Sequence, residues 1–150
     1  MTNSKLTVKQ SGEQIKPAID PKKYAQFVDA VTSQESKDFG FFSCRLLELE
    51  NQGFHTERLL TAAVGMSAEA GEFTEIVKKI IFQGKPVNEE NLFHLKRELG
   101  DIMWYVMQAC MGLGVDLDEV IEMNVDKLAA RYPGGTFDVH YSENRQEGDV

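Results

Sequence analysis

Two long stretches of this chain carry apolar residues at helical spacing, and each holds two acids, three residues apart, at the edge of its apolar face. The acids are Glu69 and Glu72 in the first stretch, and Glu98 and Asp101 in the second. Residues three apart share a helix face, because each residue advances by about 100° around the axis. If the two helices pack as an antiparallel pair through their apolar faces, the four carboxylates converge at one partly buried place.

Four clustered carboxylates would repel one another strongly, so they require bound cations or raised pKa values. Oxygen ligands suit hard divalent ions, and Mg²⁺ commonly combines a few carboxylates with water and phosphate oxygens. Gly71 and Gly100 favour such a site, because glycine inside a helix costs about 1 kcal/mol relative to alanine, and close helix packing or room for a ligand would explain it. The alternative is that the acids are solvated, as most acids on amphipathic helices are.

Capping and stop signals predict the other helices and an all-α fold. Asp20 before Pro21 starts the first helix, because aspartate is a good N-cap and proline is tolerated in the first turn. The predicted helices run from Pro21 to near Ser36, from Phe39 to near Gly53, from Thr56 as N-cap to about Gln83, from Asn88 as N-cap to Gly112 or Gly114, and, after a near capping box at Asp116, from Leu117 to Arg131. The helix from Phe39 is short. The other four are the main helices, and with short connections they predict a helical bundle.

The ends of the chain are expected to be less regular than its centre. Residues 1–20 are predicted to form an irregular arm, residues 21–137 the helical domain and residues 138–150 a tail. A brief extended segment is predicted from Thr136 to Tyr141, followed by a mobile end.

Composition and charge limit the possible functions. The net charge is -8, and without a basic stripe this argues against a surface that binds nucleic-acid phosphates. The two cysteines, Cys44 and Cys110, lack metal-ligand spacing and are expected to be reduced thiols, with one disulfide as the alternative. No apolar signal region or membrane-length run is present, so we expect a cytoplasmic protein with no membrane partner.

In combination, four motifs resemble those of the MazG-like family of all-α nucleoside triphosphate pyrophosphohydrolases, especially the small single-domain forms of phages and bacteria. The motifs are Ala68-Glu69-Ala70-Gly71-Glu72 for the family's Glu-Glu-x-x-Glu, Glu98 to Asp101 for Glu-x-x-Asp, Asn124 to Lys127 for Asn-x-x-Lys, and Arg131-Tyr132-Pro133. The similarity covers roughly residues 56 to 137. Ala68 stands where the family often has its first glutamate, which puts three-metal arrangements that use this position in doubt.

The resemblance implies hydrolysis of a nucleoside or deoxynucleoside triphosphate between its α and β phosphorus atoms, giving the monophosphate and pyrophosphate. Glu69, Glu72, Glu98 and Asp101 would hold Mg²⁺, with Mn²⁺ as a substitute. A bound metal neutralises triphosphate charge and lowers the pKa of a bound water. Glu69 or Glu72 would accept the proton from that water. A phage-encoded chain would act in the host cytoplasm.

The same resemblance suggests where the phosphates bind. Asn124, Lys127 and Arg131 are spaced three and then four apart, so they share a helix face, and they match the family's phosphate-contacting element. Lys79 projects on nearly the same side as Glu72 and is a further candidate. The alternative for Lys79 is an ion pair with Glu75, one turn earlier on the same helix.

Sugar and base recognition are less sharply indicated. Tyr105 follows Asp101 by one turn and resembles a family position near the sugar, with packing at the rim of the bundle as the alternative. Phe42 and His55 are the candidates for the base, because aromatic rings offer a face for stacking. Phe41 and Trp104 are weaker candidates, and Phe42 and Trp104 are as well explained as core residues. His94 is expected to be a surface residue or a neighbour of the metal ligands.

Two other functions fit the pattern. One is a pyrophosphohydrolase whose substrate is an alarmone or a modified nucleotide, and the other is a non-catalytic helical regulator that holds a structural ion. The bundle is thin, and related proteins complete theirs by pairing subunits. We therefore expect a homo-oligomer, with a tetramer favoured over a dimer. The sequence does not indicate the preferred base.

Overall fold

Helices account for nearly all of residues 20–144, the part of the chain that the computed structural model describes. They are α1 (Pro21–Val31), α2 (Phe39–Asn51), α3 (Thr56–Gln83), α4 (Glu89–Leu113), α5 (Leu117–Arg131) and α6 (Val139–Glu143), with a short 3₁₀ turn at Gln34–Ser36. No strand occurs between residues 20 and 144. The all-α prediction is confirmed. The predicted arm up to residue 19 and the tail from residue 145 lie outside the described residues.

The chain forms two compact units, residues 1–42 and residues 43–150, and their boundary falls within α2. In the first unit Asp20 caps α1, as predicted, by accepting hydrogen bonds from the backbone N–H groups of Lys22 at 3.0 Å and Lys23 at 3.4 Å. The predicted end of this helix near Ser36 is wrong. Thr32 ends it, because its backbone is extended and its hydroxyl donates to the Val28 carbonyl at 2.6 Å.

The second unit is built on α3 and α4, which are the two described helices with extensive mutual packing. Gly84 ends α3 in the left-handed conformation at φ 71°, which glycine adopts without steric cost. Asn88 then caps α4, because its side-chain oxygen accepts from the Asn91 N–H at 2.9 Å. Five residues therefore reverse the chain, and α3 and α4 run antiparallel.

Contacts along the pair follow this antiparallel register. Near the start of α3, Arg58 donates from Nη1 to Oε1 of Gln108 near the end of α4, at 2.7 Å. In the same region a Cβ added at Gly112 would lie 3.0 Å from the Leu59 side chain, so this glycine permits close approach. Of the two reasons predicted for Gly71 and Gly100, close helix packing is wrong, because a Cβ at either position would meet nothing within 4 Å; room for a ligand stays a prediction. Close helix packing occurs at other glycines of the pair.

The helix pair buries few apolar side chains. Among the described residues only Ala62 and Cys110 are fully buried apolar residues. The side of α4 away from α3 is apolar but exposed, with Leu99 at 53% and Met103 at 45% of their full accessible area, next to Trp104 and Met107. We call these four residues the outer face of α4. Both cysteines are free, with Cys44 exposed and Cys110 buried, so the expectation of reduced thiols is confirmed.

Two smaller predictions about helix ends are wrong. His55, rather than Thr56, is the N-cap residue of α3. Asp116 is the N-cap residue of α5, as predicted, although its side chain makes no capping hydrogen bond. The segment predicted as extended from Thr136 to Tyr141 instead leads into α6. Asp138 starts this helix, because its carboxylate accepts from the His140 N–H at 2.7 Å.

Candidate metal centre

The predicted acids meet between α3 and α4. One carboxylate oxygen each from Glu69, Glu72 and Glu98 lies within 4.8 Å of the other two. Glu69 is half-buried, Glu72 is exposed, and Glu98 retains only 8% of its accessible area. We call these three residues the acid triad. The antiparallel register produces the triad, because it brings the middle of α3 opposite the middle of α4.

Asp101 lies at the edge of the triad. It is exposed and does not share the 4.8 Å distance, yet its charge acts on Glu69. The pKa of Glu69 is raised above its ordinary value, first by loss of hydration, then by the negative charges of Glu72, Asp101 and Glu98, and finally by a side-chain hydrogen bond with Glu98. All four predicted acids therefore interact at one place.

This place fits a hard divalent cation. Its donors are carboxylate oxygens, which suit Mg²⁺ and Mn²⁺. The anions destabilise one another, as the raised pKa of Glu69 indicates, and a bound cation would remove that repulsion. Glu98 supplies a buried ligand, whereas Glu72 and Asp101 lie on the exposed side. Such a site leaves coordination positions open for water and phosphate oxygens.

The phosphate candidates divide into two groups. Lys79 on α3 pairs with Glu75, with Nζ and Oε1 3.0 Å apart, so the ion-pair alternative for this lysine is what the structure contains. This pairing lowers the pKa of Glu75. Asn124, Lys127 and Arg131 lie on α5, which has no extensive packing with any other described helix. Helix packing therefore does not by itself place α5 against the acid triad.

Of the sugar and base candidates, Tyr105 lies one helical turn from Asp101 on α4. Its ring is half-buried against α3 and makes an edge contact with Trp104, with ring centroids 4.8 Å apart, so the packing alternative is present. His55 is exposed, and its Nδ1 lies 3.9 Å from Oε1 of Glu57. It is about 20 Å from Glu69 along the axis of α3. Phe42 belongs to the first unit and is exposed. His94 is half-buried one turn before Glu98.

Sequence reasoning missed Gly65, which is buried in α3. A Cβ at this position would overlap the Tyr105 ring. The available signal was a second interior glycine in α3, besides Gly71. Its partner on α4 becomes evident only when the register of the two helices is known.

An apolar groove of about 460 Å³ lies elsewhere in the second unit. Its lining includes Leu128 of α5, Tyr132, which is the C-cap residue of that helix, and Phe137. The rings of Tyr132 and Phe137 are 5.8 Å apart. No acid lines the groove, so it is distinct in chemistry from the acid triad.

The described residues form an all-α fold in which two helices contribute carboxylates to one place. A sequence model described as the MazG nucleotide pyrophosphohydrolase domain matches residues 57–136, which is more than half of the chain. The chain therefore belongs to the MazG nucleotide pyrophosphohydrolase family. The matched region contains α3, α4 and α5.

A phage protein supports this assignment. The Gene 37 protein of Mycobacterium phage L5 is 41% identical over 80 residues, which cover 53% of this chain and 70% of the phage protein. No solved structure shows significant similarity to the chain. Within residues 20–144, none of the helices has the length and apolar character needed to cross a bilayer.

Proposed function

We propose that this protein hydrolyses a nucleoside or deoxynucleoside triphosphate to the monophosphate and pyrophosphate in the cytoplasm, with Mg²⁺ as cofactor and Mn²⁺ as a substitute. The observation that carries the proposal is the acid triad, in which two helices of the matched family region contribute carboxylates to one place. The charge of the chain, -8, makes a cation necessary for binding a polyanionic substrate.

The proposed site uses the acids in different ways. Glu69, Glu72, Glu98 and Asp101 would hold the metal, which when bound neutralises phosphate charge and makes hydroxide available near neutral pH. Glu98 is nearly buried, so its role would be to anchor the ion from the protein side. Glu69 or Glu72 would accept the proton of the attacking water, because each belongs to the triad and neither is fully buried.

We propose that Asn124, Lys127 and Arg131 contact the phosphates, and that assembly of several copies brings them to the acids. Two observations support this. The α5 helix has no extensive packing within the described chain, and the outer face of α4 exposes four large apolar residues that a second copy would cover. A homo-oligomer follows, with a tetramer favoured over a dimer.

The remaining contacts stay predictions of the same proposal. Lys79 forms an ion pair with Glu75, so it would have to leave Glu75 in order to bind a phosphate. Tyr105 would reach the sugar with its hydroxyl while its ring packs on α3. Phe42 and His55 are the proposed base contacts, and the metal chemistry does not depend on them.

The test is a panel of ribo- and deoxyribonucleoside triphosphates, assayed for pyrophosphate release by the full chain with and without Mg²⁺. The proposal predicts Mg²⁺-dependent release from at least one triphosphate. Glu98→Gln should abolish it, whereas Glu50→Gln, which alters an exposed acid of α2, should not. Including guanosine tetraphosphate separates an alarmone substrate from a triphosphate. If the chain binds Mg²⁺ but hydrolyses none of these nucleotides, the alternative of a non-catalytic helical regulator would be favoured.

A further inference from the structure

Tyr105 and Gly65 make the tightest glycine contact of the helix pair. The Tyr105 ring lies directly on the backbone of α3 at Gly65, where an added Cβ would overlap the ring atoms Cδ1, Cε1 and Cζ. The ring itself is held on another side by the edge contact with Trp104. By contrast, a Cβ at Gly71, on the same helix, would meet open space. Glycine is therefore required at position 65 by packing and not at position 71.

The contact lies one helical turn from the acids on both helices. Gly65 precedes Glu69 by four residues, and Tyr105 follows Asp101 by four residues, so each is about 6 Å along the axis from the nearest acid. On α3 the spacing of Gly65, Glu69 and Glu72 is four and then three. On α4 the spacing of Glu98, Asp101 and Tyr105 is three and then four. The same helix faces that hold the acids therefore hold this contact.

A second fixed point lies on the other side of the acids, at the turn between the helices. The side chain of Asn91, which is only 4% exposed, donates from Nδ2 to the Pro86 carbonyl at 2.7 Å. The acid triad thus lies between the tight turn and the Gly65–Tyr105 contact. Close-packed contacts deform little, so a contact this near the acids constrains how far apart α3 and α4 are there.

We propose that Gly65 and Tyr105 act as a spacer that sets the separation of α3 and α4 at the acid triad and thereby sets its affinity for a divalent cation. Both are positioning residues. Tyr105 acts through the packing of its ring against Gly65, and not through its hydroxyl. The reason is geometric, because Mg²⁺ demands ligand oxygens at about 2.0–2.1 Å in near-octahedral arrangement and tolerates displaced ligands poorly. The inference rests on the proposed function of the triad as a metal site.

The experiment measures the dissociation constant of Mn²⁺ by isothermal titration calorimetry on the full-length chain. Gly65→Ala should weaken binding by about tenfold or more, as loss of a supporting contact behind metal ligands commonly does. The control is Gly112→Ala, which adds the same methyl group at another close contact of the helix pair, 3.0 Å from the Leu59 side chain. It lies about 20 Å along α4 from Glu98 and should leave the affinity unchanged. Circular dichroism at the titration temperature establishes that each variant is folded.

Variants of Tyr105 test the partner and separate its ring from its hydroxyl. Tyr105→Phe keeps the ring and should bind Mn²⁺ as the wild type does, whereas Tyr105→Ala should lose affinity to the same extent as Gly65→Ala. This pair also decides the matter if Gly65→Ala does not fold. If the substitutions only destabilised the fold, the folded fractions of Tyr105→Phe and Tyr105→Ala would bind Mn²⁺ with the same affinity.

The outcomes separate this inference from the proposed function. Wild-type affinity in both Gly65→Ala and Tyr105→Ala would overturn the spacer and leave the metal site intact. Weak Mn²⁺ binding by Tyr105→Phe would also overturn the spacer, because the affinity would then depend on the hydroxyl of Tyr105 and not on its ring. If the wild type itself does not bind Mn²⁺, the proposed metal site is wrong, and the spacer falls with it.

Discussion

Replacing Glu98 by glutamine should remove most of the stabilisation that Mg²⁺ gives the protein. Glu98 is the most buried acid of the triad, at 8% exposure, and its carboxylate lies within 4.8 Å of both others. Glutamine has nearly the same shape and keeps one oxygen, but it lacks the charge. The substitution therefore removes a charged ligand with little change in packing.

The expected size of the effect follows from linkage. At a Mg²⁺ concentration about a hundred times the dissociation constant, a ligand that binds only the folded state stabilises it by about 2.7 kcal/mol. For a chain of 150 residues, that corresponds to a rise in Tm of roughly 5 to 10 °C. Glu98→Gln should lose most of this rise. In the absence of metal its Tm should be equal to or above that of the wild type, because one of several repelling charges has been removed.

The assay is thermal unfolding across a Mg²⁺ titration, with Glu50→Gln as the control for losing a carboxylate elsewhere. Asp101→Asn should lose less of the metal-dependent rise than Glu98→Gln, since Asp101 is exposed and lies outside the triad. A full wild-type rise in Glu98→Gln would refute the reasoning. A large fall in its metal-free Tm would do so too, because the carboxylate would then be supporting the packing.

Three further predictions concern the pH dependence, the substrate and the assembly. The folded-state pKa of Glu69 is raised above 4.5, so ionising this group destabilises the metal-free fold. In urea titrations the stability of the wild type relative to Glu69→Gln should therefore fall as pH rises from about 4.5. Saturating Mg²⁺ should reverse that trend, because a bound cation lowers the pKa of its carboxylate ligands. Arg131→Ala should raise KM for the triphosphate with little change in kcat if the arginine binds phosphate in the ground state, and unchanged steady-state constants would remove it from the site. Met103→Lys places a charge on the outer face of α4, where Met103 is 45% exposed in the single chain; analytical ultracentrifugation should detect smaller species than in the wild type, and an unaltered assembly would show that this face is not an interface.

The long helices and their acids could be predicted from the sequence because the signals are local. Gly84 and Asn88 fix the turn between α3 and α4 by their own backbone and capping chemistry. Once the turn is fixed, the spacing of the acids on each helix determines which face they share. The convergence of Glu69 with Glu98 needed one assumption beyond this, antiparallel packing through the apolar faces. The structure contains the antiparallel pair, but part of the apolar surface of α4, including Leu99, stays exposed.

Other features depend on register or on competing local bonds and were therefore missed. Gly65 is explained by Tyr105, which is forty residues away in the sequence, so only the register of α3 against α4 brings the two together. The early end of α1 comes from the Thr32 hydroxyl bonding to its own helix, and α6 comes from a single cap at Asp138. The packing of α5 could not be predicted either, because this helix has no extensive partner among the described helices of its own chain.

The most direct test of a shared metal site is pyrophosphate release by variants that each lose one acid, from opposite helices, at saturating Mg²⁺ and triphosphate. Glu72→Gln removes a triad member from α3, and Glu98→Gln removes one from α4. The account predicts release by the wild type and a loss on the order of a hundredfold or more in each variant, because one ion needs ligands from both helices. Wild-type release by either variant would contradict it.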